Sequence, residues 1–228
     1  PAEDLTVDGN DKMRYFLIGA GEDAEPPKPG YKLVVVMPGG DGGEDFHPFV
    51  RRLYKHAMSN EFLVAQPVAF QWLPSQTTVW PTKVNPTAGQ EFTTEEFVEA
   101  VIEDVKRRQP IDQRYVFTLS WSSSGPAAYA ISLQEETAVK GSYVAMSVFR
   151  HQWLPPLDAA KDHLYQLDHS PEDTLCQFSH AKQAEQDLTR AGATVRLTTY
   201  RGGHGWHGDV YDRVRSGITW MLEQVQEE

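Results

Sequence analysis

Residues 114–126 read Arg-Tyr-Val-Phe-Thr-Leu-Ser-Trp-Ser-Ser-Ser-Gly-Pro, and the fold prediction depends most on this segment. The apolar, β-prone run 115–119 stops at small residues, and segment 127–131 then has the pattern of a helix start. A strand that turns into a helix through Ser-Trp-Ser-Ser-Ser-Gly can hold a serine on a strained turn, where its hydroxyl is exposed as a nucleophile. The stretch therefore predicts a nucleophilic serine at the carboxyl end of a strand.

Of the three serines in the turn, Ser122 is the predicted nucleophile. The turn needs small residues two positions before and after the nucleophile, because strand and helix pack closely across it. Ser120 and Ser124 satisfy this for Ser122, although both stand where glycines are more usual. Ser123 would place Trp121 at the tight position. Taken alone, the stretch also fits a serine-rich turn whose hydroxyls bond nearby backbone.

The size and composition of the chain predict one globular domain. Its 228 residues are 40% hydrophobic and include six tryptophans, which suffices for one large core over residues 1–228. No run of about 18 apolar residues occurs, so no membrane span is predicted. The net charge of −11 argues against nucleic acid and anionic membranes as partners, because nothing would neutralise their phosphates.

The cysteine count and the first residue bear on the cell compartment. The single cysteine, Cys176, excludes an intramolecular disulfide and a cysteine-rich metal site, and is expected to be a small buried hydrophobe. The chain begins at Pro1 rather than at methionine, which suggests that a leader was removed. A secreted or periplasmic location is the resulting expectation, with a cytoplasmic location as the alternative.

Strand and helix patterns alternate along the chain. Seven segments rich in β-branched or apolar residues are predicted strands: 13–18, 32–37, 62–68, 115–119, 142–147, 163–167 and 194–200. Helical patterns lie between them, with caps predicted at Asp45, at Thr93 with Glu96, at Gly192 and at Asp209. This order predicts an α/β fold with a mostly parallel sheet and helices on both faces. The first of the seven strands is expected to pair antiparallel at the edge.

The connections between these segments predict where irregular structure lies. Segment 149–162 is too short for a large cap domain. Segments 21–30 and 71–90 are the least regular, and a long loop in a compact domain is more often functional than accidental.

The strand at 32–37 ends in Pro38-Gly-Gly-Asp-Gly-Gly, and such glycines let backbone N–H groups turn toward a developing oxyanion. The predicted oxyanion donors are the N–H groups of Ser123 and Gly40, with Gly39 as the alternative to Gly40. The competing interpretation is a plain or phosphate-binding loop. A P-loop would need Gly-Lys-Ser/Thr, which is absent.

The predicted acid follows the strand at 163–167. Asp168, Glu172 and Asp173 are the candidates, because a carboxylate beyond this strand can brace a histidine and stabilise its imidazolium form. Asp168 still touches the strand end, whereas Asp173 follows a proline turn and can reach back over the sheet. Asp173 is therefore the preferred acid.

The predicted base is His204, which follows the strand at 194–200 and lies between glycines that let an imidazole project from a tight loop. His207 is the alternative. The two histidines with Asp209 would also fit a metal site, but no His-Glu-x-x-His motif or further cluster supports that interpretation. Neither a metal nor another cofactor is predicted.

The order Ser122, Asp173, His204 along the chain is the order found in α/β-hydrolases. Five segments carry a resemblance to that superfamily, namely 34–40, 79–82, 120–125, 169–173 and 200–206. They resemble its compact phospholipase/carboxylesterase-like and polyhydroxybutyrate depolymerase-like esterases. The resemblance implies a lidless serine esterase with these three residues as its triad. The chain departs from the family at Pro38, where a histidine usually precedes the oxyanion glycines.

The resulting hypothesis is ester hydrolysis through an acyl-enzyme, with Trp80, Trp121 and Trp206 as walls of the substrate pocket. An open site favours short-chain or aryl esters, either as small molecules or carried on a polymer. A serine peptidase of the same fold is one alternative. A catalytically silent α/β-hydrolase that serves as a binding module is another.

Overall fold

An eight-stranded sheet runs through the centre of the molecule, in a computed structural model that describes residues 1–19, 21 and 25–226. The strands are β1 (Ala2–Val7), β2 (Asn10–Ile18), β3 (Tyr31–Met37), β4 (Phe62–Pro67), β5 (Ile111–Trp121), β6 (Gly141–Ala145), β7 (Leu164–His169) and β8 (Thr194–Thr199). Their order is β1-β2-β4-β3-β5-β6-β7-β8. The pairs β1/β2 and β2/β4 are antiparallel, and the other five pairs are parallel. The predicted mostly parallel sheet is therefore confirmed.

Five helices cover both faces of the sheet: α1 (His47–Ala57), α2 (Thr94–Arg108), α3 (Gly125–Ser132), α4 (Ser179–Arg190) and α5 (Val210–Gln226). Strand β3 shows why both faces need cover, since its side chains alternate between two separate hydrophobic clusters. Leu33, Val35 and Met37 pack into the cluster of α2, α3 and α4, and Val34 and Val36 into that of α1 and α5. Segment 149–162 contains only two short 3₁₀ turns, so no large cap follows β6, as predicted.

The sequence prediction missed strand β1, which is the true antiparallel edge. Segment 13–18 belongs to β2, which is antiparallel as expected but lies between β1 and β4. Ala2–Val7 carries two acidic residues and only its last residue is buried, so it lacks a strong apolar pattern. A signal was nonetheless present in Asp8-Gly9, whose φ angles of 49° and 76° form the tight turn of the β1–β2 hairpin.

The predicted caps and loops have mixed outcomes. Thr93 and Glu96 form the predicted capping box on α2. The prediction for Asp45 is wrong, because this residue lies inside a 3₁₀ turn before α1 and its side chain caps no helix. Segment 71–90 is irregular as predicted. In the predicted loop 21–30, residues 22–24 lie outside the described part of the chain.

His163, which immediately precedes β7, is expected to make the protein sensitive to acid. Its ring is buried, Nε2 lies 3.1 Å from Ser142 Oγ, and burial with the nearby charge of Lys140 lowers the pKa of this histidine to about 3. Because the unfolded chain binds this proton near pH 6.5 and the folded chain does not, stability falls as the pH drops below about 6.5.

Lowering the pH from 7.5 to 5.0 should reduce the unfolding free energy of both proteins. We expect this reduction to be about 2 kcal/mol smaller in His163→Gln than in the wild type. Urea denaturation at the two pH values measures this difference. An equal loss in both proteins would show that His163 does not control the acid limb.

Candidate active site

Ser122 lies on a strained turn at the carboxyl end of β5. Its φ is 54°, a left-handed value that is uncommon for a residue with a Cβ, and the chain passes through a 3₁₀ turn into α3 directly after it. The Ser147 hydroxyl donates to the Ser122 carbonyl over 2.6 Å and so helps to hold the turn. Ser122 therefore lies on a strained turn between a strand and a helix, which is the local structure that the sequence predicted for a nucleophilic serine.

The serines that replace the usual glycines fit inside this turn because their hydroxyls find acceptors. Ser124 Oγ has two carbonyl acceptors for its single proton, Met37 at 2.7 Å and Trp121 at 3.0 Å, and it accepts the Trp121 N–H. The closest packing occurs one residue later, at Gly125, where a Cβ would stand 2.0 Å from Ser147 Oγ. Gly125 is therefore the position in this turn at which a residue larger than glycine does not fit.

His204 lies within hydrogen-bond distance of Ser122, the predicted nucleophile. Its Nε2 is 3.0 Å from Ser122 Oγ, and its Nδ1 is 2.8 Å from Asp173 Oδ2. A proton on Nδ1 that is donated to the carboxylate leaves Nε2 free to accept the serine proton. The three predicted residues, each from a loop after a different strand, thus form one continuous chain of hydrogen bonds.

The Asp173 carboxylate is fully buried, and two backbone N–H groups of the turn that carries it donate to its Oδ1. Asp173 Oδ1 accepts the backbone N–H groups of Leu175 and Cys176 over 2.9 Å and 2.8 Å, which leaves Oδ2 for His204. His169 Nε2 donates to the Cys176 carbonyl over 2.7 Å and lies 3.4 Å from Asp173 Oδ2. Burial lowers the pKa of His169, so this second histidine stays neutral beside the acid.

Backbone-to-side-chain hydrogen bonds join the loop of the base to the loop of the acid. The Gly202 N–H donates to Glu172 Oε2 over 3.0 Å, and the Gly203 N–H donates to Ser170 Oγ over 3.1 Å. Both donors immediately precede His204. The position of the imidazole therefore depends on the same 170–173 turn that carries the acid.

The alternative acids and base have other partners. Asp168, fully buried, accepts hydrogen bonds from Tyr143, Thr198 and Arg213, each over 3.1 Å. His207 is exposed, and its Nε2 lies 3.1 Å from the His204 carbonyl. As described above, Glu172 binds backbone. None of the three is joined to Ser122 through a hydrogen-bonded imidazole.

The predicted oxyanion donors lie on two segments that touch each other. Gly40 has a φ of 59°, and its carbonyl accepts the Ser123 hydroxyl over 2.8 Å. Within the described residues, neither the Ser123 N–H nor the Gly40 N–H has an acceptor. Both are therefore available to an oxyanion beside Ser122.

The structure gives the three tryptophans different surroundings. Trp121 and Trp206 stack edge to face with ring centroids 5.6 Å apart, and both rings contact Phe49. Trp206 is half-buried, so part of it is open to a bound molecule. Trp80 is only 3% exposed and its Nε1 donates to the Pro38 carbonyl over 3.0 Å, so its contacts are with the glycine loop. Trp121 is only 5% exposed, so the positions of both Trp80 and Trp121 leave little surface for the predicted role as pocket walls.

Among the described residues, one group of three side chains has the composition of a metal site: Asp173, Cys176 and His204, with donor atoms within 4.8 Å of one another. The hydrogen bond between Asp173 and His204 already joins their facing atoms. Burial raises the pKa of the Cys176 thiol to about 11, which disfavours the thiolate that binds a metal. His207 faces a carbonyl instead of this group.

Two residues that hold the site, Ser147 and Ser170, are not among the predicted site residues. Ser147 fixes the nucleophile turn and Ser170 fixes the loop of the base. Each lies one or two residues beyond the end of β6 or β7, at the edge of the sheet where ligands bind in this fold class. A small polar residue at that position was the available signal.

Comparison with protein-family models and with curated protein sequences gave no match. Among the helices of the described residues, none combines the length and the apolar character that a membrane crossing requires.

Solved structures with the same fold are numerous. One of two fungal esterases from Rhizomucor miehei superposes with a TM-score of 0.74 at 13% identity, over 100% of this chain and 84% of that chain. A Bacillus cereus carboxylesterase gives 0.67 at 13% identity, over 94% and 96% of the two chains. A fluorophosphonate-binding serine hydrolase of Staphylococcus aureus gives 0.66 at 12% identity, over 97% of both. At this level of identity the similarity establishes the fold, which is the α/β-hydrolase fold that the sequence predicted.

Proposed function

We propose that this protein is a serine esterase that hydrolyses carboxylic esters through an acyl-enzyme. The observation that carries the proposal is the hydrogen-bonded chain from Ser122 through His204 to the buried Asp173. Its nucleophile lies on a left-handed turn next to two unengaged backbone N–H groups. This combination of nucleophile, oriented base and oxyanion donors is what acyl transfer requires.

Each group has a defined part in the two half-reactions. His204 Nε2 takes the proton of Ser122 as Oγ attacks the ester carbonyl, and the N–H groups of Ser123 and Gly40 hold the resulting oxyanion. The imidazolium donates its proton to the leaving alkoxide, and the acyl group stays on Ser122. Water, deprotonated by His204, then attacks the acyl carbonyl. The bond between the acyl carbon and Ser122 Oγ breaks, the imidazolium returns its proton to Oγ, and the carboxylic acid is released.

The surroundings of Ser122 support a short or aromatic acyl group. The Phe46 ring lies 3.0 Å from where a Cβ on Gly40 would stand, so an aromatic surface adjoins the oxyanion loop. Phe46 and Phe49 pack edge to face on Trp121, with centroids 5.7 Å away in each case. Flat rings are attracted to such surfaces, and no large cap encloses the site. Substrates of this kind include free esters of short or aromatic carboxylic acids and such ester groups on a polymer.

The test is turnover of matched esters and amides by the purified chain. We expect hydrolysis of p-nitrophenyl acetate, butyrate and benzoate, with little or no hydrolysis of p-nitroanilide peptides. We also expect stoichiometric labelling by a fluorophosphonate. Preferential cleavage of the anilides would favour the peptidase alternative. Absence of both labelling and turnover would favour a silent binding module.

A further inference from the structure

The glycine loop 38–43 carries one of the proposed oxyanion donors, and hydrogen bonds to three successive carbonyl groups hold it in place. The Pro38 carbonyl accepts Trp80 Nε1 over 3.0 Å, and the Gly39 carbonyl accepts the Gly42 N–H over 2.9 Å. The Gly40 carbonyl accepts the Ser123 hydroxyl over 2.8 Å. Three successive peptide groups therefore have their oxygen atoms committed to protein donors.

Fixing the carbonyls also fixes the N–H groups. In a trans peptide the C=O and the N–H of the next residue point in opposite directions, so a bound Gly39 carbonyl sets the direction of the Gly40 N–H. The bonds to the carbonyls of Pro38 and Gly40 hold the peptide groups on either side of it. The loop therefore cannot turn its donor away without breaking one of these hydrogen bonds.

Ser123 connects the two halves of the oxyanion hole. Its own N–H is one donor, and its hydroxyl holds the residue that provides the other. The distance between the two donors is thus set by a single side chain of two heavy atoms, Cβ and Oγ. The side chain is half-buried and makes no other hydrogen bond within the described residues, so this contact is its main interaction.

Trp80 supports the same loop through other contacts. Besides its hydrogen bond to Pro38, its ring lies 2.9 Å from where a Cβ on Gly42 would stand, so ring and backbone are in close contact. Ala69 adds a hydrogen bond from its N–H to the Gly42 carbonyl over 3.0 Å. If the hydrogen bond between Trp80 and Pro38 is removed, the buried indole N–H and the buried Pro38 carbonyl each lose their partner.

We propose that Ser123 and Trp80 are positioning residues that set the geometry of the oxyanion hole, Ser123 through its hydroxyl and Trp80 through its indole N–H. This inference rests on the proposed esterase function. Neither side chain takes or gives a proton in the reaction. They act on the rate through the direction of the Gly40 N–H, because a donor displaced by about 1 Å can lose much of its effect on the transition state.

Two pairs of variants test this role. Ser123→Ala keeps the backbone donor and removes the hydroxyl, whereas Ser123→Thr keeps the hydroxyl. Trp80→Phe keeps a ring and removes the N–H, and Trp220→Phe, on α5, is its matched control. We expect Ser123→Ala and Trp80→Phe to lower kcat for p-nitrophenyl butyrate roughly ten- to a hundredfold with KM within about threefold. Ser123→Thr and Trp220→Phe are expected to stay within about threefold of wild-type kcat.

Affinity for a transition-state analogue separates positioning from a general loss of structure. A trifluoromethyl ketone that adds to Ser122 places its oxyanion in the hole, so its inhibition constant should rise by the same factor by which kcat/KM falls. The pH profile of kcat/KM should keep its shape, because the base is untouched. Melting temperatures should show the variants folded under the assay conditions.

Two results would overturn the inference, and they can be told apart. If the wild type turns over esters but Ser123→Ala and Trp80→Phe keep their rates and inhibitor affinities within twofold, the positioning role is wrong and the esterase proposal stands. If the wild type neither hydrolyses esters nor reacts with a fluorophosphonate, the proposed function fails and this inference fails with it.

Discussion

Replacing Ser122 by alanine is expected to lower p-nitrophenyl ester turnover at least a thousandfold. The change removes the only hydroxyl that lies 3.0 Å from His204 Nε2 in the described structure, so the base has no nucleophile to activate. The oxyanion donors remain, and in serine hydrolases they retain a residual acceleration of about 10³–10⁴ over water when a triad member is lost. The remaining rate should therefore be measurable in sensitive assays but small. Steady-state kinetics and fluorophosphonate labelling of both proteins measure it.

The structure also defines the controls for this variant. Alanine at position 122 has a Cβ like serine, so the strain at φ 54° is retained and the fold should not relax. Ser216→Ala, on the exposed face of α5, removes a hydroxyl far from the site and should keep wild-type activity. If Ser122→Ala retained more than a tenth of the activity, the nucleophile would have to be reassigned, first to Ser123. Mapping the labelled peptide would identify the residue.

The parts of this protein that could be predicted from sequence are those that follow from local patterns and chain order. The runs that became β3, β5, β7 and β8 are short, rich in apolar or β-branched residues and followed by glycine or polar residues, which is enough to indicate strands with functional loops after them. In a parallel sheet these loops all lie at one edge. The proximity of Ser122, Asp173 and His204 therefore depends more on the order and direction of the strands than on individual side-chain contacts.

The parts that could not be predicted depend on contacts between distant segments. Nothing in the local sequence around Trp80 shows that its N–H reaches the Pro38 carbonyl, 42 positions earlier. The tie between Ser123 and Gly40 spans 83 positions and is equally invisible in a one-dimensional pattern. A buried indole looks the same in the sequence as one that lines a pocket, since both belong to an apolar context. Such roles require the three-dimensional packing.

The choice between Asp173 and Asp168 shows how the structure turns an ambiguous pattern into a testable difference. Asp168 is the penultimate residue of β7, Asp173 lies four residues beyond the end of that strand, and both carboxylates are fully buried. Asp173 Oδ2 faces His204, whereas Asp168 is bound by Arg213 and by the hydroxyls of Tyr143 and Thr198. The first arrangement orients a base, and the second joins β6, β7, β8 and α5 beneath the site. Removing the charge from each should therefore affect different properties.

Asp173→Asn is expected to lower kcat about 10³–10⁴-fold with a small effect on stability. The asparagine Oδ1 can still accept the N–H groups of Leu175 and Cys176, so the turn is kept. The amide of the asparagine would donate to His204 Nδ1, so the imidazole proton would lie on Nε2. A protonated Nε2 cannot accept the proton of Ser122. The carboxylate that stabilises the imidazolium is also lost.

Asp168→Asn is the matched comparison, because it makes the same chemical change at the same end of the same strand. It leaves Arg213 without its buried counter-charge, so we expect a loss of about 3 kcal/mol in unfolding free energy. Below its unfolding temperature the variant should keep kcat within about tenfold, since Arg213 still reaches the His207 carbonyl in the loop of the base. Urea denaturation and ester kinetics on both variants give the two quantities. A larger catalytic loss in Asp168→Asn than in Asp173→Asn would reverse the assignment of the acid, because only the true partner of His204 controls which of its nitrogens carries the proton.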